Sequence, residues 1–147
     1  MKIGIAMFPT VDAPAPGRLG RMIEDRGLES LWFAEHSHLP LGIDRVEGGD
    51  GGDRYAKTFD PFVAMTAAAA ATTTLKVFAR LQDRTDKPLE LTASGPDPDR
   101  RTLTRLRDRG AHRALVWLPQ DAGGAISDSD TARFLDDVVA NHSLIEG

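Results

Sequence analysis

The opening stretch of the chain holds a strand, a helix and a second strand, and that succession constrains the fold more than any other feature. Lys2-Ile3-Gly4-Ile5-Ala6-Met7 is a short apolar run stopped by Pro9. It suits a buried parallel strand and is too short for a helix. From Gly17 to Arg26, Leu19, Met22 and Ile23 recur at three- and four-residue spacing, and Gly27 stands where a helix ends. Ser30-Leu31-Trp32-Phe33-Ala34 is a second apolar run. Strand, helix and strand within about 30 residues make a βαβ unit with parallel strands. The fold class is therefore α/β.

The same alternation continues further on. Glu35 to Thr58 shows no periodicity, and Gly48-Gly49-Asp50-Gly51-Gly52-Asp53 cannot support the interior of an element. Asp60 as N-cap and Pro61 at the first helical position open an alanine-rich helix to about Thr73. Its run Ala67 to Ala71 allows close approach of the helix to the sheet. Leu75 to Phe78 is at most a stunted strand before the charged stretch from Arg80 to Lys87. Leu89 to Ala93 reads as a strand and Ser94 to Pro98 as a turn. Asp99 to Arg109 reads as a helix with Leu103 and Leu106 inward, ended by Gly110. Ala114 to Leu118 is the last strand. Ser127 to about His142 is an amphipathic helix built on Phe134, Leu135, Val138 and Val139. The count is about four strands and four helices in one unit, residues 1–147, with a seam near residues 77–85.

Size and composition narrow the possibilities. A complete eight-stranded β/α barrel takes at least about 200 residues, and 147 residues allow about half of one. With 18 basic against 22 acidic residues the formal charge is −4, which offers no broad electrostatic footprint for nucleic acid. No segment approaches the roughly 20 apolar residues of a membrane span, and the apolar stretch before Pro9 is too short for a secretory signal. A cytoplasmic location is expected. The absence of cysteine excludes disulfides, thiolate metal sites and a cysteine nucleophile. No Walker-type P-loop and no GxSxG elbow is present.

In parallel α/β sheets ligands bind at the carboxyl ends of the strands. Phe8-Pro9-Thr10, Glu35-His36-Ser37-His38, Ser94-Gly95 and Pro119-Gln120 should gather there. Glu35 and His36 follow the second strand directly, where a carboxylate and an imidazole can serve as acid, base or hydrogen-bond partner of a bound ring. The alternative is that Glu35 caps local amides and His36 is a polar loop residue. His36 and His38 can share an ion on an extended chain, but His112 and His142 lie elsewhere, so no metal is expected. Gly48 to Asp53 reads as a lid or a simple loop. Trp32 and Trp117 read as packing within strands.

Three stretches together resemble one family. They are Met1-Lys-Ile-Gly-Ile-Ala-Met-Phe-Pro, then Arg26-Gly-Leu-Glu-Ser-Leu-Trp-Phe-Ala-Glu-His-Ser-His-Leu-Pro, then Asp60-Pro-Phe-Val-Ala-Met with its alanines and Thr72-Thr-Thr-Leu. They resemble the beginning of luciferase-like flavin or deazaflavin oxidoreductases and are most similar to the branch expected to use the deazaflavin F-420. Pro88 to Pro119, with Ala114-Leu-Val-Trp-Leu-Pro, resembles that family's ending. The resemblance implies a β/α barrel whose middle strands are absent from this chain. It implies F-420, or FMN as the alternative, held at the rim by Phe8, His36, Ser94 and Gly95. It also implies catalytic roles for His36, facing the cofactor or substrate, and for Glu35 beside it.

Two functions follow as expectations. One is hydride transfer between reduced F-420 or FMN and a small organic substrate. The other is a non-catalytic half-barrel that no longer binds cofactor. No nucleic-acid or membrane partner is expected. An open half-barrel leaves Ile3, Ile5, Leu31 and Phe33 on an uncovered inner face and its outer strands unpaired, which predicts a homodimer or an aggregation-prone monomer.

Overall fold

A computed structural model describes residues 1–34, 55–79 and 91–146. Among the described residues nine elements follow one another: β1 (Lys2–Met7), α1 (Pro16–Glu24), β2 (Ser30–Phe33), α2 (Pro61–Ala71), β3 (Lys76–Ala79), β4 (Thr92–Ser94), α3 (Arg100–Asp108), β5 (Arg113–Trp117) and α4 (Asp128–Glu146). The strands form one sheet in the order β3-β2-β1-β5-β4, and every pairing is parallel. The α/β class expected from the sequence is the one observed. β1 lies between β2 and β5, the order of an arc of β/α barrel that is open between β3 and β4.

One hydrophobic core unites the layers. Ile3, Ile5, Met7, Leu31, Phe33, Ala114 and Val116 point from one face of the sheet. They meet Leu19 and Ile23 of α1, Ala64 and Ala68 of α2, Leu103 of α3, and Leu135 and Val138 of α4. This corrects the expectation that Ile3, Ile5, Leu31 and Phe33 lie on an open inner face, since each is at most 2% exposed. The physical reason is the period of two: the larger aliphatics take the face that receives the helices. The opposite face is left with Gly4, Ala6, Ser30, Trp32, Arg113, Leu115 and Trp117.

Local chemistry sets the helix boundaries. The Asp60 carboxylate accepts from Phe62 N (2.9 Å) and Val63 N (3.0 Å), with Pro61 next in the first turn, the N-cap that the sequence predicts. Asp99 accepts from Thr102 N at 3.1 Å and Ser127 Oγ from Asp130 N at 3.0 Å, opening α3 and α4 in the same manner. Gly27, at φ +69°, turns the chain out of α1 while Leu28 N donates to Ile23 O. A Cβ at Gly17 would come within 3.1 Å of Ala67 O and 3.2 Å of Ala71 Cβ, so glycine lets α1 and α2 approach closely.

The strand assignments differ from the sequence reading at β3, β4 and β5, and Ala34, Leu91 and Leu118, read as strand, lie just outside β2, β4 and β5. Lys76–Ala79 is a full fifth strand, because Ser30 to Phe33 give it a ladder partner. β4 includes Ser94, read as turn, because Thr92 to Ser94 align with Arg113 to Leu115; Leu89 and Glu90 lie outside the described residues. β5 starts one residue early, at Arg113, whose partner is Lys2.

Candidate functional site at the carboxyl rim

The carboxyl ends of β1 and β5 meet in an aromatic shelf. The Phe8 ring lies 5.7 Å from Tyr55, edge to face, and 5.9 Å from Trp117 at an interplanar angle of 40°. Trp117 Nε1 points to Ser94 Oγ, 3.4 Å away, at the end of β4. Gly95 follows with φ +79°, its N–H donating to Leu115 O, and a Cβ there would meet open space. Trp117 is 38% exposed, so a large ring is presented to solvent beside a hydroxyl and a bare backbone.

The shelf is held from below. Gln120 brackets the Phe8 peptide: its Oε1 accepts from Phe8 N at 3.0 Å and its Nε2 donates to Phe8 O at 2.9 Å. The same Nε2 donates to Gly124 O, as does the buried Thr10 hydroxyl, both at 2.6 Å. Phe59 N donates to Pro9 O, and Thr10 pairs with Thr58 in an antiparallel bridge. Lys57 and Asp12 form an ion pair at 2.9 Å across that junction. The residues after β1 are thus clamped by two distant segments, which fixes the Phe8 ring against its neighbours.

Of the residues singled out by sequence, Phe8, Ser94 and Gly95 come together around Trp117. Glu35 and His36 lie outside the described residues. Gln120, expected at this rim from the sequence, joins them, and Tyr55 and Trp117 complete the arrangement without having been picked as site residues. Trp117 was legible in principle: Val116 points into the core, so its successor must face the other way. Tyr55 was not, because its place depends on the return of a segment with no periodic signal. Among the described residues no group of three or more His, Asp or Glu side chains could hold a metal ion.

At the amino end of the same sheet face lies a polar cluster of a different kind. Arg113 donates to Glu29 twice, from Nε at 2.7 Å and from Nη2 at 2.9 Å. Lys76 Nζ reaches Glu29 Oε1 at 3.0 Å and Ser30 Oγ donates to Oε2 at 2.8 Å. Burial opposes the charge on Glu29, but the hydrogen bonds from Arg113, Lys76 and Ser30 outweigh it and hold the carboxyl at about 2. Arg113, Lys76 and Ser30 all donate to the one Glu29 carboxylate. In β/α barrels that end is the structural one.

A parallel arc of β/α units defines the class of protein: a partial β/α barrel, with the Phe8, Trp117 and Ser94 shelf on its carboxyl rim. The comparisons give the family. The sequence pattern of luciferase-like monooxygenases matches residues 2–79, just over half of the chain, and the chain belongs to that family. Uncharacterized proteins of Mycobacterium bovis and Mycobacterium tuberculosis are 28% identical over 82 residues, covering 52% of this chain. That match spans 29% of the length of those relatives. Among solved structures, a truncated 3-deoxy-D-arabino-heptulosonate 7-phosphate synthase from Thermotoga maritima aligns with 99% of this chain and 87% of its own, at 11% identity and a TM-score of 0.43. Among the described residues no helix is long and apolar enough to cross a membrane.

Proposed function

We propose that the rim binds the planar ring of a reduced deazaflavin, F-420 before FMN, for hydride transfer to a small organic substrate. The observation that carries this reading is the exposed Trp117 ring, set between Phe8 and Ser94 at the carboxyl end of the sheet. The residues fit such a ring. Trp117 offers a stacking surface, the Ser94 hydroxyl a hydrogen bond at its edge, and Gly95 open space for close approach to backbone. When bound, the cofactor supplies the hydride. The chain's part is to bind, orient and exclude water: Gln120 and Tyr55 hold Phe8 in place, and Phe8 packs against Trp117. His36 and Glu35, which follow β2 in the chain, are the candidates for proton transfer to the substrate.

A second reading has its own observation. The sheet ends in β3 on one side and β4 on the other, so the described strands do not close around a ligand. On this reading the chain is a family member that has kept the ends of the barrel and lost the cofactor. Titration with F-420 and with FMN separates the two. Saturable quenching of tryptophan fluorescence at low-micromolar cofactor, lost in Trp117→Ala but retained in Trp32→Phe, supports the enzyme. Failure of both cofactors to quench at high-micromolar concentration overturns it and leaves the non-binding half-barrel.

A further inference from the structure

We infer that the outward face of α3 is a docking surface for an acidic segment of a partner protein, its carboxylates read by Arg100, Arg101, Arg105 and Arg109. The proposal does not rest on cofactor binding. Five of the ten residues from Arg100 to Arg109 are arginine, in a chain whose net charge is −4. All five are exposed. At 100° per residue, Arg101, Arg105 and Arg109 lie within an arc of about 80°. Leu103 and Leu106 take the other side, Leu103 fully buried and Leu106 packed against the core. Arg100, Arg101, Arg105 and Arg109 line one open groove together with Thr104.

These guanidinium groups differ from the other arginines in what they meet. Arg18, Arg26, Arg113 and Arg133 pair with Asp128, Asp136, Glu29 and Asp130 of the same chain. On α3, Arg107 does so with Asp108. Among the described residues Arg100, Arg101, Arg105 and Arg109 form no ion pair, and Asp99 is spent on the N-cap, accepting from Thr102 N. The arrangement costs the isolated chain stability. The first turn of α3 sets cations and no acid against the helix dipole, and the four-residue spacing sets like charge beside like. Local rules are broken in this way at functional sites.

Charge complementarity names the occupant. Arginines at four-residue spacing stand about 6 Å apart along the axis, and a partner helix with an acid at every fourth position presents its carboxylates at the same step. Each guanidinium plane takes a carboxylate through two parallel N–H bonds. A nucleic-acid site makes about six to ten phosphate contacts, whereas four arginines are open here, Asp108 lies on their own face and the chain is acidic. A lipid surface asks for apolar side chains that enter it, and both leucines of α3 face the core. A second copy brings no row of open carboxylates on α4, since Asp128, Asp130 and Asp136 are engaged by Arg18, Arg133 and Arg26.

The test is anisotropy with a fluorescein-labelled helical peptide of alanine and glutamate that carries glutamate at every fourth position. Binding to the natural chain should saturate, and it should weaken about tenfold as salt rises from about 50 to about 300 mM. Arg101→Gln/Arg105→Gln should weaken it about tenfold at low salt, with the thermal midpoint unchanged or raised. Arg18→Gln/Arg21→Gln removes the same charge from α1 and should leave the affinity within about twofold. Absence of saturable peptide binding, retention of affinity in the α3 variant, or equal loss in the two variants overturns the proposal. So does arginine-dependent binding of duplex DNA or of phosphatidylserine vesicles that is tighter than binding of the peptide.

Discussion

Glu29 grips Arg113 across the β1 strand that separates β2 from β5, with both guanidinium contacts shorter than 3 Å. Both side chains are largely withdrawn from water, at 14% and 8% exposure. The pair ties the amino ends of three strands into one unit, because Lys76 of β3 joins through the same carboxylate.

The charge state of Glu29 therefore enters the stability of the sheet. Its carboxyl is lowered from 4.5 to about 2 in the folded protein, so its contribution is complete above about pH 4.5 and is lost as the pH falls toward 2. Glu24 behaves alike: Thr74 N and Thr73 N, with the Thr74 hydroxyl and Leu75 N, donate to Oε1 and hold its carboxyl at about 2. Chemical denaturation should show stability falling between pH 4.5 and 2. In Glu29→Gln the fall should be shallower, and the variant at pH 7 should be destabilised by roughly 2–3 kcal/mol, because Arg113 keeps its charge with a weaker acceptor. Unchanged stability at pH 7 would place the pair among decorative contacts.

Gly4 is the second point at which this cluster can be broken. A Cβ on Gly4 would stand 2.5 Å from Ser30 Oγ and 3.2 Å from Trp32 Nε1. The Trp32–Ser30–Glu29 chain of hydrogen bonds runs through that spot at 2.9 and 2.8 Å. Gly4→Ala should cost about 1–3 kcal/mol through forced displacement, although a strand ordinarily prefers alanine to glycine. Trp32 emission reports the displacement directly, against a Trp117→Phe background.

Arg101 tests the helix that carries the densest charge. Arg101, Arg105 and Arg109 stack at four-residue spacing on the solvent side of α3, and Arg100 and Arg101 sit in a first turn that has no acid. Like charges at that spacing repel, and cations oppose the helix dipole at its amino end. Arg101→Glu should stabilise the protein by roughly 0.5–1 kcal/mol, raising the thermal midpoint by about 1–4 °C. The gain should shrink in high salt. A salt-independent change would point to another cause.

Most of the fold was legible because its signals are local. Pro61 after Asp60, Gly27 after α1 and the run Ile3-Gly4-Ile5 each state a boundary or a face within a few residues. That Leu31 and Phe33 share one strand face was legible, but not that this face is the one covered by the helices, since a period of two names two faces without saying which receives them. β3 was faint because Lys76 to Ala79 has no pattern of its own and gains its place from the β2 ladder. The aromatic shelf was mostly legible: Phe8, Ser94 and Gln120 follow from strand ends, whereas Tyr55 lies 47 residues beyond Phe8 in the sequence and meets it only through the tertiary fold. The Glu29–Arg113 pair, 84 residues apart, left no trace in sequence spacing at all.

Thr131 offers a prediction of the opposite sign from Gly4. It lies in the first turns of α4, fully buried, with its N–H donating to Ser127 O. Its Oγ1, however, is buried without a hydrogen-bond partner. A hydroxyl taken from water and left unpaired costs about 1–3 kcal/mol, while valine has nearly the same shape and lacks the polar atom. The helix position tolerates a β-branched residue, since threonine already occupies it. Thr131→Val should therefore stabilise the protein by about 1 kcal/mol in denaturant titrations, with no change in the dependence on denaturant concentration. Thr131→Ser, which keeps the hydroxyl and removes the methyl, should destabilise by about 1 kcal/mol through the cavity it opens. If valine destabilises and serine does not, the hydroxyl is bonded in solution and the packing around α4 differs from that described.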